Sequence, residues 1–229
     1  MTKNIINIGL PSKGRLKHDT INIFKKNKLN ICSERGERDL FGYIKKISNV
    51  KIIFLHAREC IEQLSLGNID IGFSGYDLFK ESEVNVQKKI LIRKKYKFGN
   101  ANLVLAIPDL WIDVQTLLDL DEVADEFKKK KKRLLRVATK YPNLTRQFLY
   151  SKGVTQFQLV KSLGSTEVAP YTQISEVISD ITSTGATLKA NNLRILKDGE
   201  ILKSQACLMI SKFSSKKPRI KKIINLLRR

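Results

Sequence analysis

The stretch Val177-Ile178-Ser179-Asp180-Ile181-Thr182-Ser183-Thr184-Gly185-Ala186-Thr187-Leu188 carries the densest chemistry in the chain. A β-rich run brings a carboxylate, Asp180, to the end of a strand, and a hydroxyl-rich turn with one glycine then opens a helix. Backbone N–H groups at a helix start carry partial positive charge and suit a phosphate. Ser183, Thr184 and Thr187 add hydroxyl donors, Gly185 lets the backbone approach a ligand closely, and Asp180 suits the hydroxyls of a ribose. The combination fits a ribose 5-phosphate cradle. The same residues also fit a plainer role, in which the Ser and Thr side chains merely cap a helix.

Two further constellations stand at strand ends. Asn4–Leu10 reads as a strand and is followed by Ser12-Lys13-Gly14-Arg15, which places two cations beside a glycine at a sheet's C-terminal edge. Arg15 suits a bidentate grip on phosphate oxygens and Lys13 a point charge, although a basic helix start explains these residues equally well. In Asp70-Ile71-Gly72-Phe73-Ser74-Gly75-Tyr76-Asp77 the backbone around Ser74 and Gly75 is a candidate ligand pocket, while Asp77 reads as a helix cap. His18 and His56 have no metal-spaced partner, Cys60 sits at an apolar helix position, and neither a nucleophile elbow nor an HExxH motif occurs. No metal site is expected in the protein itself.

The elements that must position these residues alternate. Strands are expected at 50–55, 69–73, 101–107, 135–139, 157–160, 176–181, 193–196 and 206–210, with helices near 16–29, 58–66, 76–80, 114–130, 143–152 and 219–227. Alternation of this kind predicts a parallel-rich α/β fold. At 229 residues the chain has room for two lobes. The expected partition is 1–98 plus 189–229 as lobe I and 99–188 as lobe II, with the active cleft between them.

The formal charge of +21, from 43 Lys and Arg against 22 Asp and Glu, invites a nucleic-acid reading. The basic residues are spread along the chain rather than gathered in a stripe, and there is no aromatic stacking module, so no nucleic-acid partner is expected. No apolar run is long enough to span a membrane. The first ten residues are too interrupted for a signal peptide, and Cys32, Cys60 and Cys207 form no disulfide framework. A cytoplasmic location is expected.

These segments together resemble the ATP phosphoribosyltransferase family along almost the whole chain. The family's signature runs from a glutamate to an Asp-x-x-x-[Ser/Thr]-Gly-x-Thr-Leu loop, here Glu167 and Asp180–Leu188, and Ala190-Asn191-Asn192-Leu193 follows it. Arg136-Val137-Ala138-Thr139-Lys140-Tyr141-Pro142-Asn143-Leu144 is similar to the family's second-lobe motif, and Pro11–Arg15 to its Pro-Lys-Gly-Arg opening. There are departures: Gln173 stands where the signature usually has Gly, and His56-Ala57-Arg58-Glu59 replaces Arg-Ala-Arg-Asp, leaving Arg58 as the matching cation.

The resemblance implies a two-lobed fold similar to type II periplasmic binding proteins, and transfer of the phosphoribosyl group of phosphoribosyl pyrophosphate (PRPP) to N1 of ATP. Pyrophosphate leaves with Mg²⁺, which is carried by the donor, in the first step of histidine biosynthesis. It implies that Arg15 and Arg38 neutralise the departing pyrophosphate, with Arg35 a competitor for the second role. Glu167, Asp180, Ser183, Thr184, Gly185, Ala186 and Thr187 would bind PRPP; Lys13, Arg58, Asp70, Ser74 and Gly75 would contact ATP. A chain ending near Arg229 matches the family's short form. That form implies a homo-oligomer that also joins a regulatory subunit similar to histidyl-tRNA synthetase. A non-catalytic solute binder is the rival reading.

Overall fold

The computed structural model describes residues 5–33, 39–45, 47–162 and 164–227. The chain runs through β1 (Ile6–Pro11), α1 (Gly14–Lys26), β2 (Ile31–Cys32), β3 (Phe41–Ile44), β4 (Val50–Leu55), α2 (Ala57–Leu66), β5 (Ile71–Gly75), α3 (Tyr76–Glu81), α4 (Val84–Gln87) and β6 (Ile90–Lys95). Next come β7 (Ala101–Pro108), α5 (Leu117–Lys131), β8 (Leu135–Thr139), α6 (Pro142–Ser151), β9 (Phe157–Lys161), β10 (Val177–Thr182), α7 (Ala186–Ala190) and β11 (Leu193–Ser204), then β12 (Ala206–Ser211) and α8 (Pro218–Leu227). Two units result: residues 1–100 with 205–229, and residues 101–204.

The first unit holds a seven-stranded sheet in the order β2-β3-β4-β1-β5-β12-β6, in which β4, β1 and β5 are mutually parallel. Strand periodicity assigns its two faces. Ala206, Leu208 and Ile210 of β12 join a core with Phe24 of α1 and Ile220, Ile223, Ile224 and Leu227 of α8. The alternate residues Cys207 and Met209 join Cys60, Ile61 and Leu64 of α2. Helices therefore cover both faces, which explains the near-continuous apolar runs of β1 and β5.

On the α2 face the sheet is met at glycine. A Cβ on Gly72 would lie 2.6 Å from the Cys60 Sγ and 2.9 Å from the Leu64 Cδ1. Gly72→Ala is expected to cost about 1–3 kcal/mol by overpacking. Thermal melting checks this, and a melting temperature equal to the parent's would contradict the close helix–sheet approach.

The second unit holds a five-stranded sheet in the order β11-β7-β10-β8-β9, in which β10, β8 and β9 are parallel and β7 runs antiparallel to both its neighbours. One face packs Leu105, Val137 and Val177 against Leu117 and Leu120 of α5 and Leu149 of α6. The other packs Ala106, Ala138 and Ile178 against Ala169, Leu188 and Leu193. Helix α5 starts in a capping box, with Thr116 N–H donating to the Asp119 Oδ2 at 2.8 Å and Asp119 N–H to the Thr116 Oγ1 at 3.4 Å.

The expected partition needs correction. Residues 189–204 belong to the second unit, because β11 pairs antiparallel with β7 from Leu193 to Ser204. No strand was expected in the run Lys197-Asp198-Gly199-Glu200. It is instead the irregular middle of an edge strand, where the register shifts between Ile195 and Glu200 and again before Leu202. Asp198 is held there by accepting the Leu117 N–H at 2.9 Å. Strands β2, β3 and β6 were also not expected: β2 and β6 are the edges of their sheet, β3 lies next to the β2 edge, and their sequences alternate poorly.

A charged clamp ties β8 to the loop before β10. Glu176 accepts from Arg133 at 3.0 Å and 3.1 Å, from the Arg136 guanidinium at 2.6 Å, and from the Arg136 backbone N–H at 2.9 Å. Burial alone would raise the Glu176 pKa, but hydrogen bonds from Arg136 and Arg133 outweigh it and hold the carboxyl at about 2, below its ordinary 4.5. A depressed folded-state pKa contributes stability that is fully present above pH 4.5 and is lost as pH falls toward 2. Glu176→Gln is therefore expected to lower stability at neutral pH by on the order of 2 kcal/mol. The gap between variant and parent should shrink in melts taken at successively lower pH; a gap independent of pH would contradict the clamp.

Candidate functional site

In the second unit the parallel strands β8, β9 and β10 end at one edge of the sheet, so three segments meet there: Lys140 after β8, Ser162 and Gly164–Glu167 after β9, and Asp180–Thr187 on and after β10. Asp180 is 7% exposed; its Oδ1 accepts the Ile181 N–H at 2.8 Å and its Oδ2 lies 3.9 Å from the Lys140 Nζ. The turn that follows is held by its own hydroxyls. Gly185 N–H donates to the Thr182 Oγ1 at 2.9 Å, and Ala186 N–H to the Thr184 Oγ1 at 3.3 Å. Gly185 has φ 75°, a left-handed conformation costly for other residues, and among the described residues beyond its chain neighbours no heavy atom lies within 4 Å of where its Cβ would stand. Ser183, Thr184, Ala186 and Thr187 are exposed. The loop is thus an open, glycine-turned segment lined by hydroxyls, beside one buried carboxylate.

Glu167 lies on a 3-10 turn, Thr166–Val168, that packs against β10. Its start is braced by the Ser162 Oγ and Thr166 Oγ1, 3.0 Å apart. Gln173, in place of the family's usual glycine, keeps a left-handed φ of 57°. The side chain changes there, but the backbone retains a conformation that favours glycine.

In the first unit β4, β1 and β5 also end side by side. Their C-terminal ends carry Ser12–Arg15, His56–Arg58 and Ser74–Gly75. Lys13 is the N-cap of α1, Gly14 takes φ 77°, and Arg15 is exposed in the first turn. Arg58 is exposed at the start of α2. Ser74 is fully buried and donates to the Ala57 carbonyl at 2.7 Å, tying β5 to that helix start. A Cβ on Gly75 would stand 2.2 Å from the Asp77 Oδ1, so the Asp77 side chain folds back over that residue. Lys13 also lines a groove of about 510 Å³ with Lys17, His18, Lys25 and Phe54, and the Lys17 Nζ sits 5.1 Å from the Phe54 ring centroid. Lys17 and Lys25 went unnoticed in sequence, although their helical spacing from Lys13 puts all three on one side of α1.

One expected ATP contact falls away from this edge. Asp70 is at the opposite, N-terminal end of β5, buried to 4% exposure. It accepts from Asn7 N–H at 2.8 Å, from Lys217 Nζ at 3.0 Å and from the Ser214 hydroxyl. A carboxylate so fully partnered ties β1 and the segment before α8 together, and it is removed from the ATP candidates. Arg38, like Arg35, lies outside the described residues. Burial pushes the Cys60 thiol up to about 12, in keeping with a core residue rather than a nucleophile. Among the described residues no three His, Cys, Asp or Glu side chains gather as a metal-holding group. Lys140 was also passed over in sequence: it directly follows β8, and only the pairing of β8 with β10 brings it to Asp180.

Comparison with known proteins bears on the family and the fold. An ATP phosphoribosyltransferase of Nitrobacter winogradskyi is 46% identical over 212 residues, covering 93% of this chain and 65% of that protein. The chain therefore spans less than two thirds of that relative's length. One from Brucella suis is 39% identical over 224 residues, covering 97% of each. Among solved structures, the ATP phosphoribosyl transferase (HisG:HisZ) complex from Thermotoga maritima matches with a TM-score of 0.73 and 25% identity over 97% of this chain and 96% of that one. A substrate-binding protein of an amino acid ABC transporter matches at TM-score 0.56 and 12% identity, over 98% and 90%, a likeness of fold alone. Residues 56–229 match the model of the ATP phosphoribosyltransferase family, and with these relatives the match places the chain in that family.

Proposed function

We propose that this chain is a catalytic ATP phosphoribosyltransferase that takes PRPP at the Asp180–Thr187 loop. The observation that carries this reading is the loop itself: a buried carboxylate for the ribose, then an exposed, glycine-turned run of hydroxyls for the 5-phosphate. Adenine N1 of ATP forms the new bond to C1 of the ribose as the bond from C1 to pyrophosphate breaks, and the electron pair leaves with pyrophosphate. The sugar passes through a cationic state, so positioning and charge stabilisation supply most of the catalysis. Arg15, together with Arg38, is assigned to the leaving pyrophosphate. Mg²⁺ arrives with the donor, and Glu167 supports the donor loop. Lys13, Arg58, Ser74 and Gly75 are the candidate ATP contacts. Incubating the protein with ATP, PRPP and Mg²⁺ should yield an N1 adduct visible in the ultraviolet; no adduct from a folded protein that binds both substrates would refute the reading.

The short form is part of the proposal, as is action in the cytoplasm as a homo-oligomer. The Brucella suis relative covered at 97% on both sides and the two-component Thermotoga maritima complex support it. On this reading histidine acts through a separate subunit similar to histidyl-tRNA synthetase, and binding of substrates and of histidine must be reciprocally linked. Histidine titrated into this chain alone should give no saturable inhibition in the sub-millimolar range. Saturable inhibition without a partner would remove the short-form assignment and leave the enzyme assignment standing.

A further inference from the structure

A carboxylate and a phosphate repel, yet the second unit's cradle would hold both. Asp180 is buried at the start of the loop, and no Lys or Arg occurs from Asp180 to Thr187. Two anionic groups share a small site only where a cation offsets them. Lys140 is placed to do so. Its Nζ lies 3.9 Å from the Asp180 Oδ2, and its side chain, 39% exposed, remains within reach of a ligand from solvent.

This placement is not left to a flexible turn. Thr139 precedes Lys140 and Ser179 precedes Asp180, and a chain of hydroxyls joins them through α6. The Thr139 Oγ1 accepts the Tyr141 N–H at 2.9 Å and stands 3.3 Å from the Thr145 Oγ1, which donates to the Ser179 Oγ at 2.8 Å. Exposure of the three is 1%, 0% and 0%. Unlike aliphatic packing, three hydrogen-bonded hydroxyls buried in a sheet–helix layer add directionality. Here it fixes the end of β8 against the end of β10, and so the ammonium against the carboxylate.

We infer that Lys140 is the cation the second unit supplies to the phosphoribosyl donor, and that Thr139, Thr145 and Ser179 are positioning residues that hold it against Asp180. This rests on the proposed placement of PRPP at the Asp180–Thr187 loop. The test is calorimetry of the full chain with PRPP and Mg²⁺, and separately with ATP. Lys140→Ala should weaken PRPP binding by about ten- to hundredfold, while Lys140→Arg stays within about threefold of the parent and ATP binding is unchanged in both. Thr145→Val, which keeps the shape and removes the hydroxyl, should weaken PRPP by about three- to tenfold, and Thr145→Ser should restore it. If the parent binds PRPP but Lys140→Ala binds it within about twofold of the parent, the role of Lys140 is overturned. If Thr145→Val lowers the melting temperature without moving PRPP affinity, the hydroxyl chain is structural only. A folded parent that neither binds PRPP nor forms the adduct overturns the underlying functional reading instead.

Discussion

Asp180→Ala should lose about 1–3 kcal/mol of PRPP binding, roughly ten- to hundredfold in affinity, with the fold intact. The carboxylate is only 7% exposed, so its hydrogen bonds to a ribose would form in a largely desolvated setting where each is worth more. Its removal also frees the Ile181 N–H it now accepts at 2.8 Å, so melting should be measured beside affinity. Asp180→Asn keeps the size and isolates the charge. Thr184→Val should act in the same direction by removing an exposed hydroxyl, which is also the acceptor of the Ala186 N–H. Calorimetry with PRPP and Mg²⁺ checks both, and affinities within about twofold of the parent for both variants would sink the donor-site assignment.

Arg15→Ala should lower kcat by roughly thirtyfold, equivalent to about 2 kcal/mol, with KM for either substrate little changed. Its proposed partner is charge that grows on the leaving pyrophosphate, and interactions made mainly in the transition state appear in kcat. The side chain is exposed in the first turn of α1, so truncation should leave the melting temperature in place. Steady-state kinetics separate the alternatives. A raised KM with unchanged kcat would make Arg15 a ground-state phosphate clamp.

Local features of the site were legible in sequence because local chemistry creates them. A strand that ends in Asp180, a glycine that turns the chain at φ 75° and a hydroxyl run before a helix are short-range patterns, readable without neighbours. The same holds for the strand–Ser12-Lys13-Gly14-Arg15–helix order and for the alternation of apolar strands and helices that implied a parallel-rich α/β fold. Strand pairing is a non-local choice, and there the sequence was silent or misleading. Asp70 was expected to contact ATP only through the resemblance of its segment to the family, yet its partners are Asn7, Ser214 and Lys217, of which the last two lie 144 and 147 residues away. The expected strand stopped at residue 196, because an edge strand with shifting register tolerates charge and glycine on its open side. Lys140 gave no signal of its own, since a lysine after a strand is ordinary. Only the parallel pairing of β8 with β10, locked by Thr139, Thr145 and Ser179, sets it beside Asp180. Composition, periodicity and motif order determined which elements form and which chemistry their ends carry; tertiary structure alone decided which ends meet, because hydrogen-bond register and buried polar contacts join residues that the sequence holds far apart.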